Sequence, residues 1–208
     1  MRLRGLMLCI VFAASGCGVA SPPVAALEQE HARMQEVTIG HGRTQAYGQT
    51  VLAFGGVGGD GRIALDAGHA DDRAWSTRFR AKTGAVLPAG GYFLQVAAAR
   101  DNTLTLVEAG DVGGVAPVDP AHAVLPDAGW LEVGLMRVEL HGAIEAGAAS
   151  VAAWPKIAPR DKAAAEDVIE ARLAIGDTLA FGNVTLRVVR LQPAAGDLGG
   201  FVEFAVER

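Results

Sequence analysis

Apolar and polar residues alternate along much of the chain, most regularly near its C-terminus. Val184, Leu186 and Val188 share one parity, while Asn183, Thr185 and Arg187 share the other. Val202, Phe204 and Val206 alternate in the same way with Glu203 and Glu207. A period of two marks half-buried antiparallel strands. Arg78-Phe79-Arg80, Tyr92–Ala98, Thr103–Val107 and Leu131–Leu140 predict further strands, with Asp60-Gly61 and Asp101-Asn102 as hairpin turns between such runs. Residues 110–130 are rich in Gly, Pro and Asp, and residues 141–160 in Ala and Gly; both read as irregular. Asp161, followed by Lys162-Ala163-Ala164-Ala165-Glu166, predicts a short helix near 161–170 capped by the aspartate. The expected fold is all-β: an antiparallel sandwich or small barrel, in one piece with a long crossover or as two related β units. In the two-unit reading, residues 37–110 and 130–208 are the units and 111–129 the loop or linker between them.

A spacing recurs within this pattern. Two glycines stand six apart and a leucine follows four residues later, at Gly42, Gly48 and Leu52, at Gly84, Gly90 and Leu94, and at Gly176, Gly182 and Leu186. Even offsets after the second glycine are mostly apolar, which predicts a strand, a tight crossing, and a second strand with its even positions in the core. Gly55, Gly61 and Leu65 also fit, and a chain with 27 glycines in 208 residues makes such spacings easily.

The N-terminus has a different texture. Arg2 and Arg4 precede an apolar run from Gly5 to Ala14, then small residues. This is the layout of a secretory signal, and it falls short of the roughly 20 apolar residues of a membrane-spanning helix. The segment closes on Ala14-Ser15-Gly16-Cys17 and Gly18. That closing resembles the lipobox of bacterial lipoproteins, with Ala14 where the family favours a larger aliphatic residue; the resemblance covers residues 1–18. It implies removal of residues 1–16, diacylglycerol on the Cys17 thiol, an acyl chain (palmitate or similar) on the new amine, and residues 17–36 as a lipidated tether. It also implies a cell-envelope location, with Gly18 in place of a retention aspartate pointing to the outer membrane, facing the periplasm. Two or more acyl chains anchor stably where one does not.

Composition narrows the function. The formal charge is −5, and loss of Arg2 and Arg4 with the signal makes the remainder more acidic still. An acidic surface argues against nucleic acid as a partner. Cys9 and Cys17 are the only cysteines, so the processed domain would hold no disulfide, thiolate metal site or cysteine nucleophile.

Candidate chemistry is sparse. The serines are Ser15, Ser21, Ser76 and Ser150, none in a nucleophile-elbow motif. No two of His31, His41, His69, His122 and His141 stand three to five apart. The densest polar cluster, Asp66 to Asp72, offers His69, Asp71 and Asp72 (with Asp66) as metal ligands, against the plainer reading of a solvated turn. Gly58-Gly59-Asp60-Gly61 resembles half of a calcium-binding nonapeptide but has Ile63 where that motif needs Asp. Trp75, Trp130 and Trp154 lie near strand ends or loops, where an aromatic ring stacks on a sugar, anchors a protein partner, or closes the end of a core. No catalytic or cofactor signature emerges. The expectation is a non-enzymatic, lipid-anchored envelope protein with a protein-binding or assembly-support role. A small-molecule or glycan-binding lipoprotein is the alternative, and a hydrolase the third reading.

Overall fold

A computed structural model of the chain describes residues 35–70, 75–100, 102–145, 147–157 and 159–208. The signal-like segment, Cys17, the tether up to residue 34, His31, Asp71 and Asp72 lie outside them, while Glu36, expected in the tether, already belongs to the first strand. Contacts divide the chain into Met1–Arg33 and Met34–Arg208, and every described strand belongs to the second unit.

The strands fall into four successive quartets. The first is β1 (Glu36–Gly40), β2 (Thr44–Tyr47), β3 (Thr50–Val57) and β4 (Ile63–His69). The second is β5 (Trp75–Ala81), β6 (Val86–Ala89), β7 (Tyr92–Arg100) and β8 (Thr103–Glu108). The third is β9 (Ala123–Pro126), β10 (Gly129–Val133), β11 (Met136–Leu140) and β12 (Ala149–Pro155). The fourth is β13 (Ile169–Leu173), β14 (Thr178–Phe181), β15 (Val184–Gln192) and β16 (Phe201–Glu207).

The glycine spacing marks the same construction in three of them. In each, a four-residue strand meets a long one across a two-residue turn: Tyr47 opposite Thr50, Ala89 opposite Tyr92, Phe181 opposite Val184. At Gly90-Gly91 both turn residues have positive φ, 59° and 88°, which glycine adopts without steric cost. The leading glycine's amide donates to a carbonyl twelve residues on: Gly42 to Phe54 (2.8 Å), Gly84 to Val96 (2.8 Å), Gly176 to Val188 (2.9 Å). That distant residue's amide returns to the residue after the glycine: Phe54 to Arg43 (3.3 Å), Val96 to Ala85 (2.9 Å), Val188 to Asp177 (2.9 Å). Immediately past it each long strand carries a register shift, between Phe54 and Gly56, Val96 and Ala98, and Val188 and Arg190. Leu52, Leu94 and Leu186 are all fully buried. Gly55 and Gly61 do not share the pattern, because Gly55 sits in the β3 irregularity itself. In the third quartet Gly134 and the buried Val138 keep the turn and the core position, while Ala128 stands where the leading glycine would be.

Two four-stranded sheets pack on one eight-stranded sheet, and nearly all of the regular secondary structure is antiparallel strand; no barrel closes. The small sheets have the orders β1-β8-β7-β6 and β9-β16-β15-β14, and the large one β2-β3-β4-β5-β10-β11-β12-β13. Strands β1–β8 and β9–β16 therefore trace the same path: first strand beside the eighth, then two four-stranded runs. Each half has its own core. One gathers Leu52, Phe54, Leu65, Phe79, Leu94 and Leu106, the other Leu131, Val138, Val151, Leu186, Val188 and Phe204. The halves join where β10 pairs with β5, and where the β15–β16 loop places Leu198, fully buried, in the first core.

Several local expectations change. Leu131–Leu140 is a hairpin, broken by Gly134-Leu135. The segment read as irregular at 111–129 carries β9, and 141–160 carries β12. The helical stretch is two single 3-10 turns, Arg160–Lys162 and Ala165–Asp167, and Asp161 lies inside the first rather than capping it. Neither turn buries a residue, so no packing supports longer helix.

Candidate functional site

Side chains alternate across a strand, so residues of the large sheet that miss the cores form its outer face. Register sets a row there. Asp66 lies opposite Arg78, Arg78 opposite Trp130, Glu132 opposite Arg137, and Arg137 opposite Trp154. The row crosses from the first half into the second through the β5–β10 seam.

Trp130 is its centre. The guanidinium carbon of Arg137 is 4.3 Å from the indole centroid and that of Arg78 is 5.2 Å away, from the strands on either side of β10. Arg78 also grips Asp66 through both Nε and Nη2, which raises its already high pKa against the opposing effect of burial. The indole Nε1–H donates to Glu132 Oε1 (3.2 Å), as does Arg137 Nη2 (3.0 Å), and Lys156 Nζ lies 3.6 Å from Oε2. Burial by itself would raise the Glu132 pKa; the bonds from Arg137 and Trp130 and the positive charges outweigh it and hold the carboxyl below its ordinary range. Each cation–π contact is worth about 0.5–1 kcal/mol at such partly exposed positions.

The other two tryptophans are buried. Trp75 is 7% exposed within the second core, and Trp154 is 2% exposed with Arg160 over its ring at 5.7 Å. Asp66 and His69 differ in parity on β4, and both line an open depression with Val51, Ala53 and Ser76. Among the described residues no cluster of three or more His, Cys, Asp or Glu side chains is placed to hold a metal, and no helix is long and apolar enough to cross a membrane.

No family model, curated protein or solved structure matches the chain.

Three other polar constellations lie among the described residues. A cleft of about 260 Å³ opens at the seam, lined by Arg62, Arg80, Lys82, Asp127 and Asp197 among others. Arg80 is 2.9 Å from Asp60, and Asp127 accepts the Gly200 amide (2.8 Å). On β11–β13 an open depression holds His141, Ser150, Glu170 and Arg172. Arg160 binds both His141 Nε2 and Glu170 (2.9 Å), so that ring nitrogen is engaged by a guanidinium and not by Ser150. Burial pushes the pKa of neighbouring Glu139 up. Third, Glu203 on β16 is buried under the 109–122 segment. Its Oε1 accepts the Asp119 amide (3.0 Å) and pairs with His122 Nδ1 (2.8 Å), and its Oε2 accepts Arg190 Nε (2.7 Å).

Trp130 is one of three tryptophans expected near strand ends or loops, and its setting is not written in its own neighbourhood of the chain. Arg78, Glu132 and Arg137 fall within the predicted strands Arg78-Phe79-Arg80 and Leu131–Leu140 with no role assigned. Their convergence depends on β5 pairing with β10, between residues some fifty positions apart, which no local pattern records.

Proposed function

We propose that the protein is a lipid-anchored cell-envelope module, held through Cys17 at the outer membrane facing the periplasm, that binds another envelope protein through the outer face of its large sheet. The observation that carries the reading is the Asp66–Arg78–Trp130–Arg137–Glu132 row. Tryptophan and arginine dominate the energetic centres of protein interfaces, and here they sit on a sheet face rather than in a deep pocket. The flanking guanidinium groups compete for the indole faces a sugar ring would stack on, which favours a protein partner over a glycan. The lipid anchor serves this reading by confining the module to the surface where such partners are concentrated.

The test has two arms. Cys17→Ser should move the protein from the membrane pellet to the soluble fraction; retention in the pellet sinks the anchor. Cross-linking in intact cells from a photoreactive residue at Ser76, beside Glu132 on the same face, should yield a discrete protein adduct that Trp130→Ala abolishes. An adduct that persists in Trp130→Ala, or no adduct, sinks the binding face. Loss of affinity for an envelope oligosaccharide in Trp130→Ala would instead establish the glycan reading.

A further inference from the structure

The joint between the two halves has an unused counterpart at each end of the large sheet. Counting back from the turn glycines, β10 (before Gly134) corresponds to β2 (before Gly48), and β5 (before Gly84) corresponds to β13 (before Gly176). β10 and β5 pair with each other: Leu131 opposite Thr77, Trp130 opposite Arg78, Gly129 opposite Phe79. Their counterparts β2 and β13 are the two edges of the same sheet, each with a strand on its inner side and none on its outer side among the described residues. The operation that carries the first half onto the second, applied once more, would bring the β2 of another copy onto β13.

We infer that the protein associates head to tail with copies of itself, β13 of one copy pairing antiparallel with β2 of the next and repeating the β5–β10 joint between molecules. This is independent of the partner-binding face above. The corresponding register sets Ile169 opposite Gln45, Glu170 opposite Thr44, and Ala171 opposite Arg43. Ile169 is 43% exposed, whereas Thr77, its equivalent inside the internal joint, is 1% exposed. An apolar side chain is thus left open at the position the internal joint buries. Natural edges are blunted by short length, charged side chains, proline, bulges or inward-facing charges; β2 (Thr-Gln-Ala-Tyr) is short but has no charge and no proline, β13 (Ile-Glu-Ala-Arg-Leu) carries Glu170 and Arg172 on the parity opposite to Ile169, and both strands pair with their inner neighbour without a register shift.

The contact differs from the internal joint in strength. Inside the chain, the β15–β16 loop adds Leu198 to the first core, and the Val86 amide bonds to the Asp197 carbonyl (2.9 Å). The matching connection in the first half reverses between Arg100 and Thr103, with no room for such an insertion. Association between copies therefore rests on strand pairing and is reversible. Because the two surfaces differ, it is heterologous and need not close into a dimer.

The experiment uses the purified full-length protein in detergent, with mass measured by sedimentation equilibrium over a range of concentrations. The wild type should pass from monomer through dimer to larger species. Ile169→Lys blocks β13 and Gln45→Lys blocks β2; both side chains are exposed, and each variant alone should stay monomeric with an unchanged melting curve. An equimolar mixture should form dimers and nothing larger, since each dimer has one usable joint and two blocked ends. Association that survives Gln45→Lys would mean pairing of β13 with β13, and association that survives Ile169→Lys pairing of β2 with β2; either overturns the proposal, as does a wild type that stays monomeric. Hydrogen exchange on the wild type alone gives a check free of variants. Protection should rise with concentration at residues 44–47 and 169–173 together, and a rise at one strand without the other refutes the pairing.

Discussion

Removing the Glu203 carboxylate should destabilise the protein by about 3 kcal/mol. The side chain is 7% exposed, and all its partners are donors: the Asp119 amide, His122 and the Arg190 guanidinium. Breaking a buried charged pair costs about 3–5 kcal/mol, because the remaining charge is left without compensation. Here His122 and Arg190 side chains keep 25% and 23% of their exposure and recover some water, which argues for the lower end. Arg190 also retains the Ala116 carbonyl (2.6 Å). Against a whole-domain stability of about 5–15 kcal/mol, a loss of this size is easily measured.

The donor-only environment sharpens the test. In Glu203→Gln the amide must turn its NH2 toward either Arg190 or the Asp119–His122 side, so one set of donors faces another. Glu203→Gln should therefore lose most of what Glu203→Ala loses. Glu207→Ala is the control, since its pair with Arg187 is about half exposed on both sides and exposed pairs contribute about 0–1 kcal/mol. Urea melts of the three variants decide it. Near-full stability in Glu203→Gln, or a loss in Glu203→Ala no larger than in Glu207→Ala, would refute the buried cluster and the packing of 109–122 against β16.

Two further predictions concern the strands. Leu186 is fully buried between cross-strand partners Leu179 and Val206, so Leu186→Ala should cost about 2–5 kcal/mol, while the half-buried Thr185→Ala should cost about 1 kcal/mol or less; equal losses in denaturant melts would contradict the register. Gly129 has φ 139°, and a Cβ there would lie 1.9 Å from the Arg78 carbonyl oxygen on β5, so Gly129→Ala should lower the melting temperature far more than Gly110→Ala, whose added carbon meets nothing within 4 Å; a similar effect at both sites would rule out close approach at the seam.

What was legible in the chain was whatever one strand writes by itself. β15 alternates because one of its faces meets the core and the other largely does not, and the turn glycines recur because a tight reversal needs their backbone freedom. β12 left no such trace. Its inner positions Ala149, Val151 and Ala153 are in the core, while Ala152 and Trp154 on the other face are buried as well, so alternation disappears. Alanine adds too little apolar contrast to replace it. β9 is four residues long and buried throughout, inside a Gly- and Pro-rich stretch that looks like a linker. Glu203 misled in the opposite sense: it has the parity of a solvent-facing residue, and a segment eighty positions earlier in the chain covers it. The Trp130 row fails for the same reason, because its members meet only through long-range pairing.

The third quartet shows how burial reshapes a repeated unit. β2 and β10 occupy the same place in their halves, yet β2 ends the sheet and β10 lies inside it. Gln45 is exposed on β2, and its equivalent on β10 is Leu131, fully buried in the second core. β5 and β13 differ in the same direction: Phe79 is 1% exposed at the seam, and its equivalent at the edge is the half-buried Ala171. Burying a large apolar side chain is worth about 1.5–3 kcal/mol, so the seam gains from Leu131 and Phe79 what a free edge would gain nothing from. The cost falls on the crossing. Ala128 replaces the leading glycine, its carbonyl accepts the Arg80 amide from β5 (2.9 Å), and Gly129 becomes the residue with no room for a side chain. The departures of the third quartet from the pattern of the other three are thus the changes that pairing with β5 demands.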